Sequence, residues 1–164
     1  MNILKTAIFT LTVPGAVVVY VPWLLLPPDA KVWPPSSGPL ACVALMPMLF
    51  GALILLWCAT DFVRVGKGTP APIDPPKELV VRGLYRYSRN PMYVGAVSAL
   101  LGEALLFQSW TLFVYAAVCA VIMHTFVVLY EEPTLRKKFG PAYEAYLVHV
   151  PRWLGKVKSR SSEV

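Results

Sequence analysis

The sequence predicts an all-α integral membrane bundle of about four transmembrane helices, with an amphipathic C-terminal helix on the cytoplasmic side. Three observations lead there. Of 164 residues, 57% are hydrophobic and only 15% charged, whereas about a quarter of an ordinary soluble domain is charged. The apolar residues gather into four runs, each within the roughly 17–25 residues that a helix needs to cross a bilayer. The basic residues fall almost entirely on one side of those runs. A chain of this length forms one domain, expected to span residues 1–164.

The first run, Ile3–Leu26, is interrupted by Pro14 and Pro22, so a kinked span is expected. No small-x-small cleavage site follows it, because Leu26 leads straight into Pro27–Pro28, and the expectation is a retained helix. Pro27–Pro39 is a proline-dense loop. The second span, residues 40–60, is bent by Pro47. Residues 61–90 form a polar loop with Gly66, Gly68 and four prolines up to Pro76, ending in a short interfacial piece over Glu78–Ser88.

The third span runs over residues 91–107. Pro91 occupies a first-turn position, where its missing N–H costs nothing. Gln108–Ser109 leaves room only for a tight turn, so the fourth span, residues 110–130, makes an antiparallel hairpin with the third. From Glu131 to Trp153 the pattern turns amphipathic. Leu135, Phe139, Tyr143, Tyr146 and Leu147 recur at helical spacing against Arg136, Lys137, Lys138 and Glu144, with a break at Gly140–Pro141.

Charge sets the orientation. Lys31 is the only basic residue in the Pro27–Pro39 loop, and the Gln108–Ser109 turn has none. The other fourteen of the fifteen Lys and Arg lie at the N-terminus, in Arg64–Arg89 or after Tyr130. Both termini and the residue 61–90 loop are therefore expected in the cytoplasm, and the chain in a bacterial inner membrane. The same clustering beside apolar runs assigns the net charge of +6 to membrane flanks and excludes nucleic acid as a partner. Cys42, Cys58 and Cys119 sit inside apolar stretches at no pairing or ligand spacing, so neither a disulfide framework nor a metal site is expected.

Two charged, aromatic-rich passages stand at the cytoplasmic ends of the last two spans. RGLYRYSRNPMYVG (Arg82–Gly95) opens the third, and YEEPTLRKKFGPAYEAY (Tyr130–Tyr146) closes the fourth. Tyr85, Tyr87 and Tyr93 can stack on a planar group or face a cation. Glu131 and Glu132 can counter a positive charge, accept ribose hydroxyls or act as a base. Arg82, Arg86, Arg89 and Arg152 can hold a carboxylate or phosphate, and such residues also anchor helices at the lipid interface. Within the spans, Glu103 is an ionisable group where one is expensive. His124 lies seven residues before Glu131, on the same face of an unbroken helix.

GLYRYSRNPMYVG, a tight helical hairpin and then YEEPTLRKKFGPAYEAYLVHVPRW together resemble the catalytic region of the isoprenylcysteine carboxyl methyltransferase and phospholipid methyltransferase superfamily. The resemblance covers Lys77 to Trp153, about half the chain. It implies S-adenosylmethionine as methyl donor, bound between the ends of the last two spans and the C-terminal segment. By that resemblance Lys77, Leu79 and Val80 contact the donor through backbone, and Tyr85, Asn90, Pro91, Met92 and Tyr93 line its site. Gly95 permits close packing, His124 is a possible further contact, and Glu131 approaches the donor with Glu132 beside it. Glu131, Glu132 and Arg89 are the candidate catalytic residues, and Arg152 the candidate substrate-binding residue.

The chain departs from the superfamily pattern at three places. Asn90 stands where histidine is common, Lys77 where histidine opens the preceding motif, and Val127 where an arginine orients the prenylcysteine carboxylate. The acceptor implied is a lipophilic or lipid-linked small molecule, either a carboxylate of the isoprenylcysteine type or a phospholipid amine. A carboxylate needs only a cation to place it, whereas an amine must lose a proton, and the twin acids lean the expectation toward the amine. The competing expectation is a non-catalytic membrane scaffold or small transporter subunit that keeps the fold.

Overall fold

The structure, a computed structural model, describes residues 12–31, 38–61 and 79–155. Lys77, the start of the first apolar run and most of the residue 61–90 loop lie outside them. The described residues are helical, with no strand among them. Helix α1 spans Thr12–Leu25 and α2 Pro39–Asp61. A single 3-10 turn, Gly83–Arg86, precedes α3 at Pro91–Leu106. Helix α4 runs from Trp110 to Phe139, and α5 covers Pro141–His149.

Two of these helices, α2 and α4, are long and apolar enough to cross a membrane, while α3 and the described part of α1 are apolar but shorter. Only 17% of the most apolar window of α2 or of α4 is buried within the protein. Their outward faces carry exposed Met46, Leu53, Val121 and Leu129. Apolar surface on that scale suits a membrane setting.

Proline shapes α1 and α4 in the same way. Each contains a π turn, Ala16–Tyr20 in α1 and Val127–Glu131 in α4, and each turn ends two residues before a proline, Pro22 or Pro133. A proline ring would collide with the carbonyl four residues back; widening the turn to i→i−5 bonds, as in Val21 N–H to Ala16 and Glu132 N–H to Val127, relieves the clash. The extra residue rotates everything after it by about 100° relative to an unbroken α-helix. Between α3 and α4 the turn is tight: Gln108 takes φ 47°, and the Ser109 hydroxyl accepts from Leu112 N–H at 3.4 Å.

The core of the bundle is the crossing of α2 and α3, where small residues let backbones touch. A Cβ on Gly51 would fall 2.6 Å from the Ala99 nitrogen and overlap the Gly95 carbonyl. One on Gly102 would fall 2.6 Å from the Met48 nitrogen. Ser98 donates to the Pro47 carbonyl across the same interface at 2.9 Å. In lipid, where hydrophobic driving force between helices is absent, close van der Waals contact of this kind holds a pair together. Helix α5 folds back beneath the bundle, burying Tyr143, Tyr146 and Val150 with Leu79, Leu135 and Phe139 packed around them.

Backbone atoms cannot rotate out of the way of a new methyl. Gly51→Ala and Gly102→Ala should each destabilise by about 1–3 kcal/mol, read as a clear drop in melting temperature in detergent micelles. Unchanged melting in both variants would show that α2 and α3 do not meet this closely.

Candidate functional site

The start of α3 and the C-terminal part of α4 meet the segment after α5, and three short passages interlock there. Arg89 N–H donates to the Pro151 carbonyl at 2.9 Å. Asn90 Nδ2 donates to the Arg152 carbonyl at 3.0 Å, and Ser88 Oγ reaches the same oxygen at 3.4 Å. Ser88 Oγ also accepts from Asn90 N–H at 3.1 Å. Pro91 supplies a fixed φ for the first turn of α3 while Asn90, in non-helical geometry, spends its side chain on the strap. Residues 151–155 are thereby tied across the start of α3.

Charge locks the tie. Glu132 is buried, and Arg152 grips it in two places, Nε to Oε1 at 2.7 Å and Nη2 to Oε2 at 2.9 Å. Arg89 Nη1 adds a third bond to Oε1 at 2.9 Å. A forked guanidinium on a carboxylate is among the stronger polar contacts available to a protein. Burial alone would raise the pKa of Glu132, but its bond to Arg152 and the charges of Arg89 and Arg152 outweigh that and lower it.

Its neighbour Glu131 lives differently. The Tyr93 hydroxyl donates to Glu131 Oε2 at 3.0 Å, and Oε1 makes no hydrogen bond among the described residues. Burial raises its pKa, against the partial relief of the Tyr93 bond, and the charge of Glu132 raises it further. Two adjacent acids at the charged end of α4 are thus driven in opposite directions, one held ionised and the other eased toward the proton-binding range.

Around Tyr93 the site becomes aromatic. Trp153 lies 6.5 Å from Tyr93 between ring centroids, with planes 65° apart, and 5.9 Å from His124. The Trp153 indole N–H donates to His124 Nδ1 at 3.2 Å. These rings end a groove of about 700 Å³ between α3 and α4. Val94, Val97 and Leu101 line it on one side, Ala120 and Val121 on the other.

The structure thus brings Arg89, Asn90, Glu132 and Arg152 together in one cluster, and Tyr93, His124 and Glu131 in another beside it. Tyr85 and Met92 turn inward instead, packing with Ile54, Cys58 and Val80 against α2. Tyr146 donates to the Tyr85 carbonyl at 2.7 Å and fixes that turn. Gly95 also faces α2, at Ile54 and Gly51. Val127 is fully buried within the π turn. Arg82, Arg86 and Tyr87 are exposed.

Three contributors escape a reading of the sequence. Ser88 and Trp153 are brought to the site by the strap. Asp61, at the end of α2, is buried with Oδ2 lacking a partner. It lies against Gly83, whose φ of 55° and missing Cβ make room for the carboxylate. A glycine before the Tyr85 turn was the only available signal.

The two acids should answer amide substitution in opposite ways. Glu132→Gln strands both arginines and should cost about 1–3 kcal/mol at neutral pH, less than a fully buried pair because Arg152 remains 34% exposed. The lowered pKa of Glu132 means that its stabilisation is complete above the unfolded value and disappears as pH falls through the folded one. Glu131 has a raised pKa, so its penalty grows as pH rises through the folded value. Glu131→Gln should therefore stabilise at neutral pH, with the gain vanishing in acid. Melting curves at several pH values in micelles check both signs, and a shared sign would contradict the geometry above.

A family model described as phospholipid methyltransferase matches residues 40–142. That stretch includes α2, the α3–α4 hairpin, Arg89, Asn90, Tyr93 and both acids. No curated protein and no solved structure matches the chain. With more than half of its length matched, and the matched half carrying the paired helix ends and their carboxylates, the chain belongs to the phospholipid methyltransferase family.

Proposed function

We propose that the protein uses S-adenosylmethionine to methylate an amine on a lipid or lipid-like molecule at the cytoplasmic face of the membrane. In this reading α1 to α4 are four spans, both termini are cytoplasmic, and residues 1–164 form one membrane domain. The observation that carries it is the commitment of charge. Arg89 and Arg152 are both spent on Glu132, and Val127 offers no cation. Neither guanidinium lines the groove, whereas Glu131 is bonded to the groove-lining Tyr93, which suits an amine acceptor over a carboxylate.

The residues present fit the donor. A positively charged ligand with hydroxyl groups complements two under-partnered carboxylates, Asp61 with its orphaned Oδ2 and Glu131 with a single donor from Tyr93. Val80 and Tyr85 are packed into the core and Asn90 is committed to the Arg152 carbonyl, so Tyr93 is the residue of this set that would face it, with Leu79 alongside and Lys77 a further candidate. When bound, S-adenosylmethionine supplies an electrophilic methyl group on a sulfonium.

The chain's own work is then positional and protolytic. The apolar groove between α3 and α4 admits hydrocarbon from the bilayer and brings its polar end to Tyr93 and Glu131. Glu131 takes a proton from the ammonium nitrogen, which frees the lone pair that attacks. Its raised pKa makes it a better base near neutrality, and Tyr93 keeps Oε2 in place. Arg89, Arg152 and Glu132 hold the strap that closes the mouth. Fixing acceptor and donor in line is an approximation effect that reaches several kcal/mol.

Purified protein should bind S-adenosylhomocysteine by calorimetry. It should also transfer labelled methyl to aminophospholipids in mixed micelles and leave prenylcysteine carboxylates unlabelled. Glu131→Gln should keep nucleoside binding and lower turnover by about 100-fold or more. Undiminished turnover in that variant, or label in the carboxylate acceptor, would refute the base-assisted reading.

A further inference from the structure

The end of the groove has a shape of its own. Tyr93 and Trp153 both line it, with ring planes 65° apart and centroids 6.5 Å apart, so they are adjacent, non-parallel walls. His124 adds a third ring, tilted 30° from Trp153. It accepts the indole N–H at Nδ1, so that nitrogen carries no proton and the ring places no donor against the groove there. The Tyr93 hydroxyl points to Glu131, which sets a carboxylate at the rim of one wall.

These walls are rigidly held. The backbone just before Trp153 is tied to the start of α3 through the Pro151 and Arg152 carbonyls, and the Arg152 side chain is gripped by Glu132. Neither arginine of the cluster lines the groove. Electron-rich ring faces beside a carboxylate attract organic cations, most strongly those whose methyl groups keep water away and pack on apolar walls. A primary ammonium loses more hydration on entering such a site, so the box favours methylated cations over unmethylated ones.

We propose that Tyr93, Trp153 and His124, with Glu131 at the rim, form a binding box for a methylated onium group. The inference rests on the methyl-transfer reading of the same site. The onium has two sources there, an N-methylated ammonium on the acceptor or the sulfonium of the donor. An acceptor-side box would retain partly methylated lipid for a further round of transfer, which makes Trp153 a specificity-determining residue.

Calorimetry in maltoside micelles tests this with two matched pairs of probes. The first is lysophosphatidylcholine against its 3,3-dimethylbutyl analogue, in which carbon replaces the charged nitrogen. The second is S-adenosylmethionine against S-adenosylhomocysteine. The full-length protein should prefer the charged member of at least one pair by about 10-fold. Trp153→Leu should abolish that preference, and Trp153→Phe, which keeps a ring, should retain most of it. Loss confined to the lipid pair assigns the box to the acceptor, and loss confined to the nucleoside pair assigns it to the donor. Equal binding within both pairs by the unaltered protein, or a preference that survives Trp153→Leu, overturns the proposal. Failure of the nucleosides to bind at all would remove the methyl-transfer reading, while the lipid pair would still decide whether an onium box exists.

Discussion

Everything at the polar end of this bundle depends on one buried carboxylate between two guanidinium groups. Glu132 lies in the last third of α4, Arg89 precedes α3, and Arg152 belongs to the strap beyond α5. The same elements also meet through neutral bonds, Arg89 N–H to Pro151, Asn90 to Arg152 and Tyr93 to Glu131. Burying an unpaired carboxylate costs several kcal/mol, so the three must come together or not fold here at all. The clasp then sets the positions of Asn90, Pro151 and Trp153 through backbone contacts that carry no charge themselves.

The clasp also explains how identical neighbours come to do different work. Glu131 and Glu132 are adjacent, on one helix and of one chemistry. Glu132 receives three charge-assisted bonds and is held ionised, while Glu131 receives a single phenol and is pushed toward its neutral form. An ion-pair anchor and a proton acceptor have opposite requirements, and the environment separates them within one turn. The π turn ahead of Pro133 contributes by rotating both acids relative to the span that leads to them.

The apolar half of the bundle contributes a groove. Glycine-mediated contact draws α3 tightly onto α2. Beside that contact, α3 and α4 are joined by a short turn at one end yet leave a groove, edged by Phe50 of α2, that runs to Tyr93, His124 and Trp153. Close packing at that contact and a gap beside it follow from where the small residues sit. The aromatic end of the groove therefore stands beside the acids of α4, joined to them by the Tyr93–Glu131 bond.

Much of this was legible in the chain. The apolar runs, the hairpin at Gln108–Ser109, the break at Gly140–Pro141 and the inward stripe of Tyr143 and Tyr146 are local patterns, set by hydropathy, periodicity and backbone restriction within a few residues. The residue types of the site could also be read, since arginine, tyrosine and carboxylate at a helix end are conspicuous against an apolar background. Their partnerships could not. His124 and Glu131 share a face only on an unbroken helix, and the π turn between them belongs to the folded backbone. Arg89 and Arg152 read as cations available to a substrate until Glu132, 43 and 20 residues away, is seen to hold both. Sequence determines which groups are present and which segments are helical, because those properties are short-range. Only the tertiary structure decides which acid is neutralised and which is left to act, because pairing energies depend on distances that no local pattern encodes.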